Sequence, residues 1–251
     1  MLSALPGDAT AFMLLFARLG ALLMSLPIFG EDTVPGRVRL LMALGMTAGL
    51  WGLLGPLMPR VASDEPRLAG LLVGELLIGL GIGALIKMMF MAITTAGGII
   101  SLQVGLTSAL TIDAQAGGQV PMLAKLMSVA AILVCMGLGV HHLWIGTIVH
   151  SYTIFPVGQL PPAADFLQLA IMTAGRSMAL GLALSAPLLI YGLVFNVGLG
   201  LASRLAPAIQ VFFIVQPLNL LAGLALFMLL LGGMLSAFAN NLSDWTISIW
   251  G

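Results

Sequence analysis

Arg18, Glu75, Lys87 and Lys125 stand inside stretches that are otherwise apolar. Charges in such a setting either line an ion path or meet a partner on another helix or subunit. Glu75 and Lys87 are twelve positions apart, about 120° around a helix, so they do not pair within one. One acid among a few bases, with no acid–acid or acid–histidine chain, makes a poor proton relay. Pairing across elements is the reading this set supports. His141 and His142 are adjacent, about 100° apart on a helix, and His150 lies eight positions past His142. No Cys or carboxylate stands at ligand spacing, so polar packing is expected there in place of a metal, and no cofactor is implied. Gly79-Leu80-Gly81-Ile82-Gly83 has the look of a phosphate loop but sits within a continuous apolar run. Gly79 and Gly83, at GxxxG spacing, instead form a small-residue face on which another helix can approach closely. HExxH, GxSxG and GxxxxGK[ST] are all absent, so the chain is not expected to be an enzyme or to hydrolyse ATP.

The most polar chemistry lies near the middle, in SLQVGLTSALTIDAQAGGQVP, from Ser101 to Pro121. It holds three Gln, several hydroxyl residues, one Asp and a Gly-Gly pair, and no Lys or Arg. On a helix Gln103, Thr107, Ser108 and Thr111 would fall on one side, opposite Leu102, Leu106, Ala109 and Leu110. Such a face of uncharged hydroxyls and amides suits the wall of a wet, non-selective space. Asp113–Gly118, with Gln115 inside it, is expected to leave the helix. Gly117 and Gly118 give freedom to bend, and Pro121 opens the next helix at its first position. An ordinary surface loop fits the same composition.

The elements that would position these groups are apolar throughout. Of 251 residues 60% are hydrophobic and 7% charged, and the mean hydropathy is +1.14. Soluble domains carry about 25% charged residues, so this composition predicts an all-α, multi-helix integral membrane protein built from helical hairpins. Zero net charge and a pI near 6.8 give no electrostatic case for nucleic acid. The one cysteine, Cys135, lies in an apolar run and reads as packing. The 16 Met read as gap-fillers or as a deformable surface around a moving object. With no Lys or Arg before the first apolar run, a cleaved signal peptide is not expected.

Candidate spans are Ala9–Phe29, Val38–Met58, Leu68–Ile93, Met122–Val149, Ser177–Ala202 and Val211–Ala237. A shorter piece, Ala96–Ile112, follows the third span, with the bend expected at Thr94–Gly98. The Pro-containing stretch 151–166 divides the chain into residues 1–150 and a C-terminal helical hairpin, 167–251. Arg37, Arg39 and Arg176 balance Arg60, Arg67 and Arg204 across a simple alternation of spans, so basic-residue bias sets no orientation.

Several segments together resemble the FliR/SctT family of type III export apparatus proteins, most closely its flagellar branch. FARLGALLMSLPIFGEDTVPGRVRLLMAL is similar to the family's Phe-x-Arg, Pro-x-Phe-Gly and Val-Pro-x-Arg-Val-Arg pattern. The pattern falls on Phe16, Arg18, Pro27, Phe29, Gly30, Val34, Pro35, Arg37 and Arg39. AGGIISLQVGLTSALTIDAQAGGQVPMLAKLM, GVHHLWIGTIVHSYTIFPVG and LASRLAPAIQVFFIVQPLNLLAGL resemble later segments in the same order.

The resemblance implies one subunit of a cone-shaped export gate in the bacterial inner membrane, at the flagellar basal body. Its implied partners are FliP-like and FliQ-like membrane subunits, then a FlhB-like subunit, with unfolded export substrates as cargo. Residues 1–150 would be FliP-like and 167–251 FliQ-like, and the loop at 101–121 would be a plug in the channel. Phe29, Gly30, Pro35, Arg37, Arg39, Gly79, Gly83, Arg204, Pro207 and Pro217 are then expected at assembly and packing contacts. An injectisome gate subunit is an alternative. So is a small-solute transporter, whose binding site would use helices broken at Pro187 and Pro217 near Asn196 and Asn219.

Overall fold

A computed structural model describes residues 5–27, 34–59, 66–106, 110–113, 118–159, 162–205 and 211–250. The fold is all-α apart from one short hairpin. Its helices are α1 (Leu5–Ser25), α2 (Gly36–Leu54), α3 (Pro66–Val104), α4 (Met122–Gly137), α5 (Val140–Ile154), α6 (Ala163–Leu205) and α7 (Val211–Trp250). Between α3 and α4 lie the antiparallel strands β1 (Leu110–Asp113) and β2 (Gly118–Pro121), with Thr111 opposite Val120 and Asp113 opposite Gly118. Among the described residues five helices are long and apolar enough to cross a membrane, or six if α4 and α5 form one span.

Four expected boundaries are corrected. Ala96–Ile112 is not a separate arm, because α3 runs unbroken through Thr94–Gly98 to Val104. The Thr94 hydroxyl donates to the Met91 carbonyl at 3.0 Å and Ser101 to that of Gly97 at 2.8 Å, so the polar residues are satisfied within the helix. Met122–Val149 is broken, α4 and α5 meeting at a bend of 76° where Gly139 takes φ 75°. Neither Pro187 nor Pro217 interrupts its helix, and both α6 and α7 continue past the expected ends. Pro121 is the N-cap of α4, not its first helical residue.

The chain forms two compact units that draw on both sides of 151–166. One comprises Met1–Met88, His141–Thr173 and Thr246–Gly251. Its core joins Leu14, Leu19 and Leu22 of α1 with Ile82, Leu85 and Ile86 of α3 and Trp144 and Ile148 of α5. The other comprises Met89–Val140 and Ala174–Trp245. Buried there are Ile93, Ile100 and Val104 of α3, Met127, Ala131 and Cys135 of α4, Leu184 and Leu188 of α6, and Phe227 and Phe238 of α7. The four-residue repeat of the α4 set is the buried stripe of an amphipathic helix. In contrast, α2, α6 and α7 leave most of their apolar length exposed, surface that lipid or other proteins must cover.

The face at Gly79 and Gly83 is taken by α1 of the same chain. A Cβ on Gly79 would strike the Arg18 carbonyl and come within 2.9 Å of Ala21 Cβ; one on Gly83 would strike Ser25. Gly198 and Gly200 face open space. Gly83→Leu should therefore destabilise the first unit by about 1–3 kcal/mol through overpacking, whereas Gly198→Ala should leave folding unchanged. Thermal unfolding of the two variants in detergent checks this.

Candidate functional site

Two polar nodes organise the apolar chain, one in each unit. In the first, Arg18 of α1 is fully buried and clamps Glu75 of α3 with two bonds, Nε to Oε2 at 2.7 Å and Nη2 to Oε1 at 3.0 Å. Nη2 also donates to the Phe155 carbonyl at 2.9 Å, and Nη1 to the Ser151 carbonyl at 3.1 Å and hydroxyl at 3.3 Å. That accounts for all five guanidinium N–H groups. The two carbonyls belong to the end of α5, at the negative end of the helix dipole, and that of Ser151 also accepts from the Phe155 N–H at 2.8 Å. The Tyr152 ring lies under the guanidinium, 3.9 Å from its carbon to the ring centroid. The charge is thus paired, hydrogen-bonded and stacked. It joins three helices and leaves no group facing an ion path.

In the second unit the node lies where α3 ends and the central segment begins. Gly105 adopts φ 87°, a conformation that a residue with a Cβ rarely takes, and this stops the helix. The Leu106 N–H bonds the Ser101 carbonyl at 2.9 Å and the Gly105 N–H that of Leu102 at 3.3 Å, a Schellman cap. The Gln103 carbonyl takes its donor from elsewhere, accepting from Asn219 Nδ2 of α7 at 3.1 Å. Asn219 Oδ1 in turn accepts from the Tyr191 hydroxyl of α6 at 2.9 Å. Gly192 of α6 leaves room for the Gln103 side chain, and a Cβ on Gly223 of α7 would come within 3.0 Å of Val104. The root of the hairpin is therefore fixed against both C-terminal helices. Gly97 of α3 packs on the Ala124 backbone, which sets the exit from the hairpin into α4.

The helical face expected from Gln103 to Thr111 does not exist. Gln103 is half-buried on α3, while Thr111 and Asp113 lie on β1 and Gly118 and Pro121 on β2. Thr107, Ser108, Gln115 and Gly117 lie outside the described residues, as do Phe29, Gly30 and Pro207. Period-3.6 reasoning carried the helix through Gly105. The β-branched Thr111-Ile112 pair and the turn-forming run beyond Asp113 were the signals for a hairpin. Pro35 is the N-cap of α2, Arg37 is exposed, and Arg39 Nε donates to the Val34 carbonyl at 3.0 Å. Arg204 is exposed in the last turn of α6, and Pro217 is exposed on α7. The His141 and His142 rings lie tilted at 39° with centroids 4.1 Å apart. Among the described residues no group of three His, Cys, Asp or Glu could hold a metal. Sequence reasoning missed Tyr191, a polar group inside the long apolar α6, and Ser151 and Tyr152, which lie in the last turn of α5 within the stretch read as a connection.

The profile of the bacterial export proteins, family 1, matches residues 9–245. The flagellar biosynthetic protein FliR of Caulobacter vibrioides is 38% identical over 238 residues, covering 93% of this chain and 95% of the relative. That of Escherichia coli K12 is 35% identical, covering 83% and 79%. The Yop proteins translocation protein T of Yersinia pestis is 26% identical, covering 83% and 80%.

Removing one member of the first node strands the other. Arg18→Met or Glu75→Gln should each cost about 3–5 kcal/mol, whereas the double change Arg18→Met with Glu75→Leu should recover part of that loss. The yield of folded protein after extraction, measured for all three, checks the non-additivity.

Proposed function

The chain belongs to family 1 of the bacterial export proteins, and on that premise we propose that it is a passive pore-and-plug component of the flagellar type III export gate. Its cargo is unfolded flagellar protein. The observation that carries the reading is the central hairpin, β1 to β2, set between two apolar helices and braced at its root by α6 and α7. A segment rich in amides, hydroxyls and glycine but almost without charge can seal a wet channel and still let a chain slide past without gripping it. Energy comes from other subunits, since the sequence holds no nucleotide-binding motif.

FliP-like and FliQ-like subunits, and then a FlhB-like subunit, are the partners in this reading, at the inner-membrane part of the basal body. The exposed apolar lengths of α2, α6 and α7 are surfaces such partners would cover. Identities of 38% and 35% to the Caulobacter and Escherichia coli flagellar proteins, against 26% to the Yersinia translocation protein, favour the flagellum over an injectisome. Unbroken helices at Pro187 and Pro217 remove the feature that favoured a small-solute transporter.

Deleting residues 114–117 should leave the complex assembled but raise leakage of small ions or dyes severalfold. Asp113→Ala should change little, because a lone carboxylate adds only modest interaction at the dielectric of water. Permeability, compared in strains with equal complex abundance, is the measurement; a tight seal in the shortened strain contradicts the plug.

A further inference from the structure

We infer that Asn219 and Tyr191 form a latch that holds the plug hairpin closed by fixing the last turn of α3. This rests on the plug reading above and names the residues that position the plug. The Schellman cap at Gly105 serves the carbonyls of Ser101 and Leu102, and the Gln103 carbonyl is the next helix-end acceptor. In so apolar a chain it needs a donor, and Asn219 Nδ2 supplies one from a different helix.

Asn219 is itself 8% exposed, so its amide has to be satisfied at both ends. The Tyr191 hydroxyl, 2.9 Å from Oδ1, does this, and the Gln103 carbonyl, which only accepts, fixes which way the amide points. Three helices are thereby joined in one polar chain, α6 to α7 to the end of α3. Two glycines, Gly192 and Gly223, allow the close approach that the short bonds require.

The consequence is directional. Spreading α6 from α7 turns the Asn219 amide and withdraws the donor from Gln103, which frees the hairpin root. With α6 and α7 closed, the root is clamped and the hairpin is held in the seal. Asn219 and Tyr191 are positioning residues, acting on the channel through the backbone of Gln103.

The test compares Asn219→Leu, Asn219→Asp and Tyr191→Phe in otherwise intact complexes, beside the strain lacking residues 114–117. Permeability to small ions and the amount of complex recovered are both read. Asn219→Leu should leak about fivefold more than the parent, the factor expected when one net hydrogen bond is lost. Asn219→Asp should leak at least as much, because a carboxylate still accepts from Tyr191 but turns no hydrogen toward the Gln103 carbonyl. Because Asp also places a carboxylate in a buried site, Tyr191→Phe, which keeps the ring packing, separates the bond from packing. Tyr191→Phe should leak less than Asn219→Leu, and the double variant no more than Asn219→Leu alone.

Parent-like permeability in both Asn219 variants, beside a leaky shortened hairpin, overturns the latch and leaves the plug standing. A tight shortened hairpin overturns the plug, and the latch with it. Should the Asn219 variants lower complex recovery, Tyr191→Phe decides: it keeps the ring packing, so a leak supports the latch and a parent-like seal overturns it.

Discussion

A fully buried guanidinium is the most demanding group among the described residues, and the first unit is arranged to meet its demands. Arg18 has five N–H donors and a full charge; Glu75 answers the charge, and the end of α5 supplies the remaining acceptors. Glu75 arrives on α3 and Ser151 and Phe155 at the end of α5, so satisfying one side chain ties α1 to both. The small-residue face at Gly79 and Gly83 is part of the same solution. It brings the α1 backbone against α3 closely enough for the Arg18 side chain to reach Glu75. The ion pair adds a directional constraint to the close packing at Gly79 and Gly83.

The second unit repeats the logic with neutral groups. Asn219 joins α7 to the last turn of α3 and is oriented by Tyr191 of α6. The bonds are weaker than those of a charged pair, and the segment they brace is the one proposed to move. A charged clamp suits a fixed framework, whereas a neutral amide chain can part and re-form within a modest free-energy range. The two nodes thus set a charged clamp that holds the fold beside a neutral one proposed to poise the hairpin.

Much of this was legible in the sequence. Composition and span length identify a helical membrane protein, and the order of motifs identifies the family. Gly79 and Gly83 stood out by spacing, and Arg18 and Glu75 as costly lone charges. Their pairing was not legible, since 57 positions separate them and no local rule links residues on different helices. The hairpin was missed because amphipathic spacing was read straight through Gly105, whose positive φ ends α3. Asn219 was noticed only as a neighbour of Pro217. Its role depends on which backbone carbonyl it meets, and that is a property of the tertiary structure.

The central claim is that the hairpin faces the path of exported protein, and a substrate trapped in transit tests it most directly. Gln119 of β2 is exposed and can carry a single cysteine once Cys135 is replaced by alanine. A substrate fused to a tightly folded domain that stalls in the channel would carry a second cysteine in its unfolded part. The account predicts a disulfide between Gln119→Cys and the stalled segment, absent when the substrate is not engaged. A stalled substrate in an intact complex that never reaches this position would contradict it.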